Sequence, residues 1–374
     1  MAGTGRLAVF HGPEKPLEVR EYPIPEVEPD AILVKITMAN VCGSDMHIWR
    51  GDTDPGSDLT HGTSFGHEMT GRVAELGRNI ASDSLGQPLK EGDQVVFSYF
   101  YPCNRCRVCV TGDLAACPNK GHIVCTPLDK PPYFTGSFGE YYYLRPGHFV
   151  YKVPEGLPEE VVASVNCAFS QVTYGFEKIG LQMGESVVIQ GAGGLGVYAC
   201  VVAKERGASP IIVVDGIKER LELAKEFGAD EVVDMTEFPT HRDRIGHVKR
   251  LTGGLGPDVA AEFVGMPEVF NEGVSMLRPG GRYLAIGNIS GGSITFIPAR
   301  LVHVNKSVVG VGTYDPRVIP RVLDLLARTK DTYPYDRATS HKFSLDQVNE
   351  ALNQSEWVGR KEDATHITRA SIVP

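Results

Sequence analysis

No run of about 18 apolar residues occurs anywhere in the 374-residue chain, which excludes a helical membrane span. The opening residues, MAGTGRLAVF, lack the long apolar core of a secretory signal, so no export is expected and a cytoplasmic location follows. Basic charge is also short. Lys and Arg number 37 against 46 Asp and Glu, a net charge of −9, which argues against a nucleic-acid partner because binders of the phosphate backbone carry a basic face. Tryptophan is scarce, and there is no internal repeat or low-complexity tract. The chain does have eight cysteines, at 42, 103, 106, 109, 117, 125, 167 and 200. Without an export signal, these are expected to be metal ligands or buried thiols, not disulfides.

Two sequence textures alternate along the chain. Residues 1–155 are rich in Pro and Gly, with short β-type runs at Ala31–Thr37, Gly71–Leu76 and Gln94–Ser98 separated by turn residues, the pattern of a mainly β domain with long loops. The charged, Pro-rich stretch Glu21–Asp30 reads as a surface connection. In residues 156–305, short apolar strands (Ser186–Gln190, Ile211–Asp215, Glu231–Asp234, Asp258–Val264, Arg282–Gly287) alternate with helical segments such as Leu195–Arg206 and Lys218–Phe227. Near-continuous apolar strands between helices predict a doubly wound parallel sheet covered on both faces. In residues 306–374 a β run at Ser307–Gly312 precedes helices near Pro320–Arg328 and Leu345–Asn353. The simplest organisation is one α/β domain inserted between two parts of a β domain.

The segment Gly191-Ala-Gly193-Gly194-Leu195-Gly196 has the form GxGxxG, directly after an apolar strand and at the start of a helix. Asp215 ends the next strand, nineteen residues beyond Gly196. Glycines there permit a tight turn and close approach to a pyrophosphate, and the acidic residue suits a ribose hydroxyl. A glycine-rich turn with no ligand is the alternative. A carboxylate at Asp215 repels a 2′-phosphate and no Arg follows it directly, so NAD is expected over NADP, with Lys218 and Arg220 as the countervailing residues.

Cys103, Cys106, Cys109 and Cys117 fall within fifteen residues. Four thiolates in one short lobe suit a closed tetrahedral structural zinc site, and Arg105 and Arg107 favour the thiolate forms. A redox pair or two disulfides is the alternative. The spacing does not follow that of bacterial ferredoxins, in which Cys-Pro comes soon after the third cysteine.

Two further segments, Cys42-Gly-Ser44-Asp45-Met-His47 and Gly66-His67-Glu68-Met-Thr-Gly71, join the lobe and the glycine turn in an order that resembles the zinc-dependent medium-chain alcohol dehydrogenase family. The resemblance spans essentially the whole chain. It implies a GroES-like catalytic domain around an inserted Rossmann-type domain. Cys42, His67 and Cys167 are implied as ligands of a catalytic zinc, with one position left open, giving two zinc ions per chain. Asp45 is implied to orient the His67 ring, Glu68 to lie behind the metal, Ser44 to relay a proton and His47 to pass it to solvent, with an exposed loop histidine as the plainer alternative.

For the cofactor, the resemblance implies that Asp215 and Arg220 contact the adenosine ribose and that the Val264-Gly265 and Ile286-Gly287 backbones hold the nicotinamide end. Arg369, in the final ITRASIVP segment, is a further candidate for the cofactor phosphates, but the tail departs from the family pattern and Arg369 is left out of the implied site. Trp49, Tyr99-Phe100-Tyr101 and the Thr126–Gly136 loop are expected pocket walls. The implied substrate is a small alcohol or its carbonyl, with a secondary or bulky hydrophobic alcohol favoured over a polyol or amino alcohol. The implied assembly is a homodimer or homotetramer joined near the Gly281–Gly287 strand and the segment after it. An enoyl or quinone reductase would lack the three catalytic ligands. A zinc-stabilised binding protein would carry one metal and no cofactor. Cys200 fits a buried helix position, and Cys125 has no assigned role.

Overall fold

Two kinds of strand sequence sort into two kinds of sheet. The computed structural model describes residues 3–54, 56–121, 125–289, 291–356 and 368–374. These fall into two units: Met1–Ser170 with Asp315–Lys330 and Tyr335–Pro374, and Gln171–Tyr314 with Asp331–Pro334. No helix among the described residues is long and apolar enough to cross a membrane.

The first unit is built mainly on antiparallel pairing. Its seven-stranded sheet runs His341–Ser344, Ala370–Val373, Ile32–Asn40, Glu68–Leu76, Gln94–Phe97, Val150–Lys152, with Tyr141–Leu144 also on Ile32–Asn40. A three-stranded sheet joins Glu18–Pro23, Thr4–Phe10 and Thr63–Ser64. Glu21–Pro23, expected within a surface connection, is therefore strand, paired with Thr4–Arg6. Leu7, Val9, Ala31, Leu33, Leu128, Phe134 and Tyr143 form a core cluster of this unit. The short helix Gly43–Arg50 starts one residue after Cys42, and its first turn is fixed by Asp45, whose carboxylate accepts the Cys42 N–H at 3.0 Å.

The second unit holds six parallel strands in the order Glu231–Asp234, Ile211–Asp215, Val187–Gln190, Val259–Glu262, Arg282–Ala285, Ser307–Gly310. Chain order reverses at Val187–Gln190, and its side-by-side neighbours are the second and fourth strands, the doubly wound dinucleotide-binding arrangement. Every residue of Val187–Gln190 and Val259–Glu262 is buried, which is why these strands read as continuous apolar runs.

Two sequence expectations change here. The boundaries drawn at residues 155/156 and 305/306 differ from the structural division at Ser170 and Tyr314. The β run after Lys306 does not return to the first sheet, because Ser307–Gly310 pairs in parallel with Arg282–Ala285 as the sixth strand. Arg282–Ala285 is flanked on both sides, and Ser307–Gly310 forms the sheet edge beyond it.

Candidate functional site

Cys42, His67 and Cys167 span more than a hundred residues of chain, yet their donor atoms all lie within 4.8 Å of one another, and all three side chains are buried. Cys42 caps the Gly43–Arg50 helix, His67 leads into the strand Glu68–Leu76, and Cys167 sits in a buried π-helical turn, Val165–Phe169. The Cys167 Sγ to His67 Nε2 distance is 3.3 Å. For bond lengths typical of zinc, a tetrahedral S···N edge is about 3.6 Å, so the pair is close to ligand spacing without rearrangement. Two sulfurs and one imidazole nitrogen form a borderline-soft donor set that suits zinc, and three protein ligands leave one position open.

The surroundings fix this set. His67 Nδ1 faces Asp45 Oδ1 at 3.0 Å, and the other Asp45 oxygen holds the Cys42 N–H. One carboxylate thus sets both the ring's orientation and the start of the cysteine's helix, leaving Nε2 for a metal. Burial disfavours a charged His67 ring, but Asp45 and Cys42 outweigh it and hold its pKa well above the usual range. The Cys167 thiol and the nearby His67 hold Cys42 well below the ordinary thiol range against burial, while Cys167 itself is pushed up.

Ser44 Oγ is 3.4 Å from His67 Nε2. His47, expected at the solvent end or on a loop, is instead only 2% exposed, on the Gly43–Arg50 helix, with Nδ1 3.1 Å from Asp52, whose side chain is 27% exposed. Glu68 is fully buried; burial raises its carboxyl to about 8, although Arg369 Nη1 lies 2.6 Å from Oε2. Arg369 is thus engaged with Glu68. Of the expected pocket walls, Tyr99 packs against the His67 ring at 4.8 Å, Phe100 is fully buried and Tyr101 packs on His148. Trp49 is half-buried on the Gly43–Arg50 helix.

The four lobe cysteines are close to a tetrahedron. Cys106–Cys109, Cys103–Cys117, Cys106–Cys117 and Cys103–Cys109 sulfurs are 3.5, 3.6, 3.9 and 4.0 Å apart. Zinc–thiolate bonds imply an edge of about 3.8 Å. Cys106 caps the short helix Arg107–Val110, accepting from the Cys109 N–H, and backbone N–H groups of Arg105 and Cys106 bring the Cys103 thiol down to about 6. Cys103 and Cys106 are half-buried, Cys109 and Cys117 buried.

In the second unit, the glycines of the strand-to-helix turn have different jobs. Gly191 has φ +93°, and a Cβ on Gly196 would lie 1.9 Å from the Gly191 carbonyl oxygen. A Cβ on Gly193 would meet nothing within 4 Å. Gly194 and Leu195 begin the helix Gly194–Glu205. Asp215 Oδ2 accepts the Ala192 N–H at 2.7 Å and Oδ1 the Ile217 N–H at 2.9 Å, tying the carboxylate to the turn. Burial lowers the Arg220 guanidinium pKa, and the negative charge of Asp215 partly restores it. Cys200 is buried on the same helix, its thiol directed at the Gly196 carbonyl; Cys125 is buried at φ +59°.

Glu262 was not anticipated. It is fully buried at the end of its strand, and its Oε1 accepts from Val264 N at 2.6 Å and Gly265 N at 2.7 Å, while Oε2 accepts from Asn288 N at 3.1 Å. It therefore joins the two segments, Val264-Gly265 and Ile286-Gly287, expected at the nicotinamide end. Its sequence signal was an acidic residue interrupting an apolar strand.

The site and the two-sheet fold define a zinc-type dehydrogenase, and comparison with known proteins agrees. The alcohol dehydrogenase GroES-like domain matches residues 28–155, and the zinc-binding dehydrogenase domain matches residues 194–328. The chain is 31% identical over 346 residues to 5-exo-hydroxycamphor dehydrogenase of Pseudomonas putida, covering 90% of this chain and 91% of that one. It is 27% identical over 351 residues to sorbitol dehydrogenase of Bacillus subtilis, covering 94% and 93%. The crystal structure of an alcohol dehydrogenase from Thermotoga maritima matches over 100% of both chains at 29% identity and a TM-score of 0.90. The chain belongs to the zinc-dependent medium-chain alcohol dehydrogenase family. It is an oxidoreductase of that family, with zinc and a nucleotide cofactor.

Proposed function

We propose that the protein oxidises a secondary or bulky hydrophobic alcohol to its carbonyl, reversibly, with NAD as hydride acceptor and two zinc ions per chain. The observation that carries this reading is the buried three-donor set Cys42, His67 and Cys167, with Tyr99 packed beside it. Bound there, zinc supplies Lewis acidity that brings an alcohol's pKa toward neutrality, and the nicotinamide takes the hydride. The chain's own residues position the reactants and move the proton. Ser44 Oγ, beside the His67 ligand nitrogen, takes the alcohol proton. Ser44 and His47 are three residues apart on one helix and share a face, so His47 is the next acceptor, and its bond to half-buried Asp52 leads outward.

The lobe cysteines Cys103, Cys106, Cys109 and Cys117 hold the second zinc and do no chemistry. Asp215, fixed at the glycine turn by two backbone N–H groups, receives the adenosine ribose and disfavours a 2′-phosphate. The pairing of Glu262 with both nicotinamide-end loops supports their role in holding the carboxamide. The likeness to 5-exo-hydroxycamphor dehydrogenase favours a bulky cyclic secondary alcohol; the likeness to sorbitol dehydrogenase is the specific ground for a polyol as the second reading. The expected assembly is a homodimer or homotetramer in which the exposed edge Ser307–Gly310 contributes.

A substrate panel followed by NADH absorbance tests the reading. Cyclic and aromatic secondary alcohols are expected to give the higher kcat/KM; sugar alcohols better by about tenfold would overturn it in favour of the polyol. NAD is expected to raise the melting temperature more than NADP at equal concentration.

A further inference from the structure

The strand that begins at Glu68 has an unusual edge beside the ligand histidine. On one side it is paired along Ile32–Asn40, through Asn40 opposite Glu68 and Ala39 opposite Met69. On the other side, the strand Gln94–Phe97 pairs only with Gly71 and Arg72. The backbone carbonyl of His67 and the N–H of Met69 project toward that second side, beyond the paired region. A buried carbonyl and N–H there need partners. Both are met by one side chain. Asn166 Nδ2 donates to the His67 carbonyl at 3.0 Å, and Asn166 Oδ1 accepts the Met69 N–H at 3.0 Å.

This is the hydrogen-bond pattern of a single residue in a parallel strand, which bonds to the residues on either side of its opposite number. Here the opposite number is Glu68. Asn166 is fully buried and immediately precedes Cys167. A second stitch joins the same segments: the Ala168 N–H points to Glu68 Oε1 at 3.4 Å. The turn carrying Asn166 has other anchors, since Asn40 Nδ2 donates to Ser164 Oγ at 3.0 Å and Ser170 Oγ to the Val165 carbonyl at 2.6 Å.

We propose that Asn166 is a positioning residue for the catalytic metal: its side-chain amide, bonded to the backbone on both sides of Glu68, fixes the separation of His67 and Cys167. The inference rests on the proposed zinc site at Cys42, His67 and Cys167. Without the amide clamp, the two ligand segments remain folded but are free to part, and the metal is held by a looser pair. An amide is required because the two backbone groups demand one donor and one acceptor. A carboxylate of the same size supplies only acceptors and would set an oxygen against the His67 carbonyl.

The test compares the zinc-loaded full-length enzyme with Asn166→Ala and Asn166→Asp. Metal remaining per chain is counted over time under a chelator, with the four-cysteine lobe as the internal reference, and visible spectra are taken after cobalt(II) replaces the catalytic metal. Both variants are expected to lose the catalytic metal about 10–100-fold faster than the wild type, with lobe metal unchanged and the cobalt ligand-field bands shifted. Should the alanine variant fail to fold, the isosteric aspartate decides. Wild-type release and an unaltered cobalt spectrum in a folded variant overturn the inference alone. Variants that shed lobe and catalytic metal together also overturn it, by showing a role in folding. A wild-type protein that holds no metal at the three-donor site overturns the proposed function and this inference with it.

Discussion

The two cysteine clusters, each proposed to hold a soft cation, are built in opposite ways. The lobe draws all four donors from one stretch of fifteen residues, sets four of their six sulfur pairs 3.5–4.0 Å apart and leaves two of them half-buried. The other site draws three donors from positions 42, 67 and 167, buries all of them, and spends Asp45 and Asn166 on holding their segments in register. A local site needs only its own loop, and four sulfurs close it. A dispersed site depends on the whole first unit, and its missing fourth donor is what leaves room for a substrate. The difference teaches that ligand count decides what a zinc site can do, and chain separation decides what supports it.

The sharpest way to break this contrast is to exchange the consequences. Cys42→Ser is expected to lower kcat/KM by about a thousandfold or more while the lobe keeps its metal and the melting temperature changes little, because a Lewis acid contributes several kcal/mol to the reaction. Cys103→Ser should do the reverse: lobe metal is lost and the melting temperature falls by about 5 °C or more, with catalytic metal retained. If both variants unfold alike, the division between the two sites is wrong. Asp45→Asn keeps a partner for His67 Nδ1 but removes the charge, and is expected to weaken catalytic metal binding about 10–100-fold in equilibrium competition with a chelator.

The smallest effect concerns the lobe's neck, where Tyr101 bridges Gly121 and packs against His148. Burial lowers the His148 imidazole to about 4, against a hydrogen bond from its ring to the Arg145 carbonyl. Because the folded-state pKa lies below the unfolded value, this contribution is fully present above about 6.5 and is lost as pH falls toward about 4. Melting curves across that window should therefore show a decline that His148→Gln reduces, on the order of 1–2 kcal/mol.

Much of this architecture was legible in sequence because burial on both faces leaves a mark. The strands Val187–Gln190 and Ile211–Asp215 were visible as apolar runs between turns. The helices His241–Leu251 and Val269–Met276 were not, the first because charged residues dominate it and hide its buried Arg244 and Val248. Ser307–Gly310 was seen as β, but its sheet could not be, since strand pairing is a property of the fold. The lobe was readable from spacing alone. Cys42, His67 and Cys167 were readable only through family resemblance, since nothing local connects them. Asn166 escaped because its partners, the His67 carbonyl and the Met69 N–H, meet it only after folding, and Glu262 because its link to Asn288 does the same.

The glycine turn carries a further consequence. Gly191 and Gly196 answer to the chain itself: one adopts a left-handed backbone, and the other lies where a side chain would strike a carbonyl. Gly193 answers to nothing in the chain, since a methyl group there meets open space. A descendant that gave up its nucleotide would thus be under pressure to keep the outer two glycines and free to lose the middle one. The fingerprint that marks a cofactor site is in this sense two signatures written in one motif, and Gly193 is the position that records whether the ligand is still there.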